Sequence, residues 1–367
     1  MKSVREKVIN FWEAFREREG EIRELIDSRK LGDNFNRVEE LFEVDMPFML
    51  GMNSDDKYEL ILNPSGLKSR YFLADYFKRK MPIDLKEKWD FYDMKPPMSM
   101  NIKNMQFSIN NDLFLENDFR IIVESVNREG KRINVSVSCP KFHKLFKKYE
   151  LKDKYNVIYN IMDGLLGEAV VESYLGDISI KKNSKSEQEF TLEEFKIEVA
   201  DIIEKNSWEK YPKILDRYDS YSYDLEKVED TSPVRYDVMV GFTSNLTVVD
   251  GYRHDTSEFD YMREQGCTYG MLFYNNTNIP NNEKIPARDK LENLLTETLE
   301  YGDIFEIFGA ATGINNSYID VIVYDANKFY NMLERISLSE EYLSFSYKDF
   351  KPNSELRKIV SQSVFSS

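Results

Sequence analysis

The sequence predicts an α+β protein built from ferredoxin-like antiparallel-sheet units, with two or three such units packed together. The chain has 367 residues, more than a single hydrophobic core usually serves. Apolar residues make up 41% of it, which is enough for well-packed cores and excludes disordered or collagen-like chains. The last third has the order β-α-β-β-α-β, which is typical of the split βαβ arrangement.

Residues 1–98 are predicted to form an N-terminal α/β-hairpin unit. Apolar residues at helical spacing from Val4 to Ile26 predict a long amphipathic helix. Two apolar runs around a polar turn, residues 48–52 and 58–62, predict a hairpin. A helix over 67–80 and a strand over 89–94 complete this unit before the prolines at 96 and 97.

Residues 99–209 are predicted to form a second β-rich unit with helices. Strands are predicted over 121–123, 133–137 and 170–180, and a helix with Asp153 as its cap is predicted to run to Leu166. Thr191 and Glu194 have the spacing of a capping box, which predicts a helix over 192–206.

Residues 210–233 are predicted to be an acidic, tyrosine-rich linker, and residues 234–367 a C-terminal ferredoxin-like domain. The predicted strands of this domain are 269–274, 304–308, 319–324 and 342–347, with helices over 288–301 and 329–336. A further strand is predicted over 238–242, and the small residues 309–313 are interpreted as a hairpin turn.

Charge and cysteine content restrict the partners and the compartment. The chain has 50 Lys and Arg against 65 Asp and Glu, a net charge of −15, which repels phosphate backbones and anionic lipid heads. We therefore expect a protein partner, with neither nucleic acid nor membrane bound. Cys139 and Cys267 form no CxxC pair, and the first residues contain no apolar stretch typical of a signal peptide, so a cytoplasmic location is predicted.

Catalytic and metal sites are not indicated by the motifs. His143 and His254 are the only histidines, which excludes HExxH and three-histidine zinc sites, and no cofactor is predicted. Arg253, His254 and Asp255 form one local cluster, and Cys267 is close enough in sequence to suggest a nucleophile and base. Such pairs are set by spatial and not by sequence proximity, a surface loop is a sufficient explanation of this cluster, and we predict no catalytic residue.

The tyrosine-rich segment is the predicted partner-binding surface. Aromatic rings supply contact area, and carboxylates steer a basic protein towards them. Its carboxylates could alternatively hold a hard cation or simply be solvated, and their spacing matches no EF-hand loop. The candidate partner-binding residues are Tyr218, Asp219, Tyr221, Tyr223, Asp224 and Glu226.

A resemblance to known proteins rests on four loose motifs spread over nearly the whole chain. They are Phe11-Trp12-x-x-Phe15, Leu165-Leu166-Gly167-Glu168, Arg235-Tyr236-Asp237-Val238-Met239-Val240-Gly241-Phe242-Thr243, and Gly309-Ala310-x-x-Gly313 followed by Tyr318-Ile319-Asp320. Together they resemble an uncharacterised bacterial family of cytoplasmic proteins. The last third is also similar to the small ferredoxin-like regulators that inhibit ribonuclease E. That resemblance implies an adaptor or inhibitor, although those regulators lack the long N-terminal half.

Three functional hypotheses follow. The first is a non-catalytic protein-binding module, of inhibitor or immunity type, for a basic partner such as a nuclease or toxin. The second is a carboxylate- or metal-dependent hydrolase with its site between the halves, in which carboxylates would have raised pKa values. The third is a structural homo-oligomer formed by pairing exposed sheet edges.

Overall fold

The computed structural model describes residues 1–98, 106–109, 112–144, 150–181, 189–223, 233–339 and 345–359. They form two compact units. The large-sheet unit contains Met1–Met46, Leu67–Leu85 and Leu215–Ser367, and the small-sheet unit contains Pro47–Gly66 and Lys86–Ile214. Each unit therefore takes segments from the domain predicted over residues 1–98.

The helices and strands alternate along the chain, so the protein is α+β as predicted. The helices are α1 (Val4–Asp27), α2 (Asn36–Glu39), α3 (Lys68–Arg79), α4 (Pro140–Lys144), α5 (Leu151–Leu166), α6 (Glu168–Tyr174), α7 (Leu192–Lys205), α8 (Leu246–His254), α9 (Ser257–Gln265), α10 (Lys284–Thr296) and α11 (Ala326–Ser339). The strands are β1 (Phe48–Met52), β2 (Tyr58–Leu62), β3 (Trp89–Tyr92), β4 (Gln106–Ile109), β5 (Asp112–Leu115), β6 (Arg120–Asn127), β7 (Arg132–Ser138), β8 (Leu175–Lys181), β9 (Asp219–Ser222), β10 (Val238–Thr243), β11 (Thr268–Asn275), β12 (Phe305–Gly313), β13 (Asn316–Val323), β14 (Phe345–Asp349) and β15 (Leu356–Ile359). None of the helices within these described ranges is long and apolar enough to cross a membrane.

The large-sheet unit is organised around a seven-stranded antiparallel sheet with the order β15-β14-β11-β13-β12-β10-β9. Strands β11 to β14 alternate with α10 and α11, so the predicted β-α-β-β-α-β order is confirmed. The first helix of this set begins earlier than predicted and ends at Thr296, which leaves Leu299 beyond it and almost fully exposed.

One face of this sheet is covered by α10 and α11. The shared cluster contains Leu272 and Ile319 from the sheet, Leu291 from α10 and Phe329 from α11, all buried. Alternation along the strands places these sheet residues on a common face, because Leu272 and Ile319 are direct cross-strand partners. Asp325 accepts a hydrogen bond from the backbone N–H of Lys328 (3.2 Å) and so caps α11.

The opposite face of the sheet is covered by α1, α3, α8 and α9. Tyr269 of β11 points to this side, where its hydroxyl lies 2.8 Å from the Ser69 hydroxyl of α3 and accepts a bond from Asn245 at the start of α8. Helix α1 packs on α3, since the indole N–H of Trp12 donates to the Phe77 carbonyl (2.8 Å). Coverage of both faces explains why β12 and β13 are nearly continuous buried runs.

The small-sheet unit contains the sheets β1-β2-β3 and β6-β7-β8 and the hairpin β4-β5. Its core is shared by α5, α7 and the strands β6 to β8. The predicted capping box is confirmed: the Thr191 hydroxyl accepts from the Glu194 N–H (3.2 Å), and the Glu194 carboxylate accepts from the Thr191 N–H (2.8 Å). The first β hairpin is confirmed with Leu50 opposite Leu60.

Four local predictions differ from the structure. Asp153 is not the N-cap of α5: the helix begins at Leu151 after Glu150, and the Asp153 carboxylate accepts the Glu150 N–H (3.2 Å) from within the first turn. The strand predicted over 170–180 begins only at Leu175, because the chain turns at Gly167 and forms α6 first. Residues 309–313 are not a hairpin turn: they belong to β12, and their glycines allow close approach of neighbouring groups. The predicted linker contains strand β9, which pairs with β10.

Candidate functional site

The tyrosine-rich segment lies at one edge of the seven-stranded sheet. Strand β9 pairs antiparallel with β10, with Ser222 opposite Val240 and Ser220 opposite Phe242. Within the part of the chain that the structure describes, no strand pairs with the other side of β9. Among the described residues, the outward N–H and C=O groups of β9 therefore face no neighbouring strand.

Tyr218 precedes this edge strand and is 45% exposed. Its ring packs edge-on against Phe242, with ring centroids 5.5 Å apart. Partial burial raises the pKa of Tyr218 to about 12, and Tyr301 and the carboxylates of Glu292 and Asp216 add to the shift. The ring therefore stands in acidic surroundings, which a cationic partner would neutralise.

Tyr221 and Tyr223 are less open than the sequence suggests. The Tyr221 ring lies directly over Gly241, where a Cβ atom would collide with it. The Tyr223 hydroxyl donates to the Asp250 carboxylate (3.4 Å), and the two tyrosine rings are 5.6 Å apart. These two side chains hold β9 against the sheet, whereas Asp219 is exposed. Asp224 and Glu226 lie outside the described residues.

A buried polar network lies beneath this edge. The Arg235 guanidinium forms two hydrogen bonds to the Asp320 carboxylate, at 2.5 and 2.7 Å, and the side chains are 2% and 0% exposed. Arg235 also donates to the Tyr221 hydroxyl. Burial alone would lower the pKa of Arg235, but the charge of Asp320 and the Tyr221 oxygen raise it above its ordinary value. The guanidinium is therefore held in its charged form.

Tyr318 and Asp237 extend this network. The Tyr318 hydroxyl donates to one Asp237 oxygen and accepts the backbone N–H of Arg235 at 2.9 Å. The other Asp237 oxygen accepts the backbone N–H groups of Asn315 and Asn316, both at 2.9 Å. The carboxylate thus fixes the turn between β12 and β13.

Backbone geometry at the network is unusual. Arg235 has a φ of 74°, in the left-handed region that non-glycine residues rarely adopt. The Asp237 side chain also lies so close to the backbone at Gly313 that a Cβ atom there would collide with it. Two motifs noted in the sequence, residues 235–243 and 309–320, therefore meet in this network.

The histidine cluster lies at the junction of α8 and α9. His254 and Asp255 are exposed there, and Asp255 accepts the backbone N–H of Ser257 (2.9 Å). Arg253 belongs to α8, and its side chain is outside the described part. Cys267 is buried, its thiol donates to the Met262 carbonyl (3.4 Å), and burial raises its pKa. A raised pKa disfavours the thiolate that a nucleophile requires.

Carboxylates with raised pKa values occur in both units. Burial and then the neighbouring Glu168 raise the pKa of Asp163 to about 7, against the effect of Lys95. In the large-sheet unit, burial raises the pKa of Glu306, although Arg79 lowers it. Among the described residues, no group of three or more His, Cys, Asp or Glu side chains is arranged to hold a metal ion.

The Arg235–Asp320 pair was not predicted as a site. Its sequence signal is a charged residue inside the apolar strand β13, since a carboxylate buried in a sheet requires a partner. The partner is 85 positions away in the sequence, and only the fold brings the two together.

Comparison of the chain with protein-family models, curated proteins and solved structures found no match. The resemblance to the ribonuclease E regulators stays a prediction from the sequence.

Proposed function

We propose that this protein is a non-catalytic binding protein that docks a basic protein partner, in an inhibitor or immunity-type role. The proposed docking surface, called here the tyrosine edge, consists of residues 218–223 and Val240. We further propose that the strands β11 to β14 with α10 and α11 are a ferredoxin-like domain that supports this surface, since their order in the sheet is β14-β11-β13-β12.

The observation that carries the proposal is the combination of exposed apolar side chains with a strand edge. Tyr218 is exposed, and Val240 on the adjacent strand β10 is 48% exposed although it lies in a sheet. Aromatic and aliphatic side chains beside unpaired backbone groups favour β-strand addition, in which backbone bonds supply affinity and side chains supply specificity. Ser220 and Ser222 are small and leave the added strand room.

Charge supports a basic partner. Asp219 is exposed in β9, and Glu292 and Asp216 act on Tyr218. The net charge of −15 extends this field over the molecule. Long-range attraction of this kind raises association rates and weakens with salt.

The buried network supplies rigidity to the surface. Tyr221 is bonded to Arg235, whose guanidinium is held by Asp320. An edge strand anchored in this way keeps its conformation before binding, which lowers the entropy cost of association.

The experiment is affinity capture from the native cell at low salt, followed by binding measurements with the purified captured protein. The expected partner is basic and is released at high salt. The double variant Tyr218→Ser/Val240→Lys is expected to weaken its binding at least about tenfold. Tyr211→Ser is the matched control, because Tyr211 is an 80% exposed tyrosine of the small-sheet unit.

Two outcomes would contradict the proposal. One is a captured partner that binds the double variant and the wild type equally. The other is the absence of any retained protein at low salt. If the captured chain is a second copy of this protein, the homo-oligomer hypothesis replaces the proposal.

A further inference from the structure

The buried stripe of helix α10 changes character along its length. Lys284 and Arg288 occupy it in the first turns, and Leu291 and Leu295 occupy it afterwards. The leucines belong to the apolar cluster on the sheet, whereas the two cations lie over its polar end. A cationic side chain on the buried face of a helix requires a hydrogen-bond acceptor, because burying an unpaired charge is costly.

Polar side chains of the sheet face this basic half of α10. The Arg288 Nη1 donates to the Thr312 hydroxyl (3.2 Å), and Thr312 is the cross-strand partner of Ser317. The Asn276 amide donates to the Ser317 hydroxyl (3.0 Å) and to the Gly313 carbonyl (3.2 Å). Arg288 and Asn276 are therefore joined through one pair of hydroxyl residues.

Three buried atoms in this group have no hydrogen-bond partner: Nε of Arg288, Oδ1 of Asn276 and the hydroxyl oxygen of Tyr274, which is the cross-strand partner of Ser317. Arg288 is 6% exposed and Asn276 0%. A buried donor or acceptor without a partner is uncommon, and a bound ion or molecule is one established explanation. Here the three atoms are a donor on a cation, an acceptor on an amide and a hydroxyl.

The neighbouring charged groups leave Nε of Arg288 without an acceptor. Asp289 accepts from Nη2 of Arg288 (3.2 Å), and its own side chain is 53% exposed. The Lys284 ammonium donates to the Ile314 carbonyl (3.0 Å), so its charge meets a neutral acceptor. Glu292 and Asp320 are further carboxylates that interact with Arg288; burial raises the pKa of both, although the charge of Arg288 lowers it.

The geometry points to a binding site for inorganic phosphate between α10 and the polar end of β11, β12 and β13. A phosphate oxygen would accept from Nε of Arg288, with the positive charge of Lys284 nearby. Hydrogen phosphate keeps one P–OH group at neutral pH, which would donate to Oδ1 of Asn276. Sulfate carries no such proton, so it satisfies the arginine and leaves the amide oxygen without a donor.

The test is calorimetric titration of the full chain with inorganic phosphate and, separately, with sulfate at equal ionic strength. We expect one phosphate site per chain and at least about tenfold weaker sulfate binding. Arg288→Lys keeps the charge and removes the planar guanidinium, so it is expected to weaken phosphate binding at least about tenfold. Lys290→Gln, an exposed change on the same helix, is the control for loss of a positive charge.

If Arg288→Lys fails to fold, a second measurement on the wild-type protein still tests the inference. Phosphorus NMR of phosphate mixed with wild-type protein is expected to show saturable line broadening that sulfate reverses poorly. Absence of saturable binding to the wild type would overturn the inference. Equal affinities for phosphate and sulfate, or unchanged phosphate binding in a folded Arg288→Lys variant, would also overturn it.

Discussion

Arg235 and Asp320 form a bidentate ion pair that is buried in the seven-stranded sheet, with N–O distances of 2.5 and 2.7 Å. The same guanidinium lies 4.6 Å from the centre of the Phe350 ring and donates to Tyr221 of the edge strand. One cation therefore connects the middle strand β13 with β9 at the edge. Loss of either charge would affect both the stability of the sheet and the order of the tyrosine edge.

Removing one member of this pair is expected to be strongly destabilising. Asp320→Asn leaves a buried guanidinium without its counter-charge, which costs about 3–5 kcal/mol of unfolding free energy. The double variant Arg235→Met/Asp320→Leu removes both charges and is expected to cost less. Urea unfolding measures both. The exposed pair of Lys205 and Asp201 provides the control, since Lys205→Ala is expected to cost below about 0.5 kcal/mol. A single variant as stable as the wild type would contradict this role.

The close approach of Tyr221 to Gly241 predicts a local effect on β9. Gly241→Ala places a methyl group where the Tyr221 ring lies, so the ring and the edge strand are expected to shift. Hydrogen exchange of the amides of residues 219–222 should become faster. Gly251→Ala is the matched control, because a Cβ at Gly251 meets no atom within 4 Å and alanine favours the helix. Unchanged exchange in β9 of the Gly241 variant would show that the contact is unimportant.

Asp163 predicts a pH dependence in the small-sheet unit. Its pKa is raised from 3.8 to about 7, so the folded state binds more protons than the unfolded state between these values. Its contribution to stability is complete below pH about 4 and is lost as the pH rises through about 7. Asp163→Asn is expected to raise the unfolding free energy at pH 8 by about 1–3 kcal/mol.

Urea unfolding between pH 5 and pH 8 measures this difference. The wild type should lose stability relative to Asp163→Asn as the pH rises. Asp177→Asn, at an exposed position of the same unit, serves as the control and should follow the wild-type profile. Parallel profiles for wild type and Asp163→Asn would contradict the raised pKa.

Removing the capping box of α7 is expected to lower the unfolding free energy by a small amount. Thr191→Ala removes the acceptor for the Glu194 N–H and is expected to lower the unfolding free energy by about 1 kcal/mol. Thr191→Ser keeps the hydroxyl and should retain most of the stability. Chemical unfolding of the three proteins decides between these outcomes. Equal stability of the alanine and serine variants would show that the cap contributes nothing.

Local patterns in the sequence were sufficient for many of the elements. The capping box at Thr191 and the apolar periodicity of residues 4–26 are determined within a few turns of helix, and both helices formed as predicted. The alternation of strands and helices from Thr268 to Asp349 was also readable, because each element carries its own periodicity.

Features that depend on residues distant in the sequence could not be predicted from local patterns. Strand β9 is short and polar, and it is a strand because β10 pairs with it. The small residues from Gly309 onwards predict a turn, yet Gly309 is a strand residue that lets the β10 backbone approach. The tyrosine segment was recognised as a candidate site, but the anchoring of Tyr221 by Arg235 depends on tertiary structure alone.

The most direct test of the proposed function is hydrogen exchange on the complex with the purified basic partner. Slower exchange is expected at residues 219–222 of the complex, because an added strand would take up the outward backbone groups of β9. The Tyr218→Ser/Val240→Lys variant should show no such protection at the same partner concentration. Protection confined to the opposite edge strand β15 or to the small-sheet unit, with β9 unchanged, would contradict it.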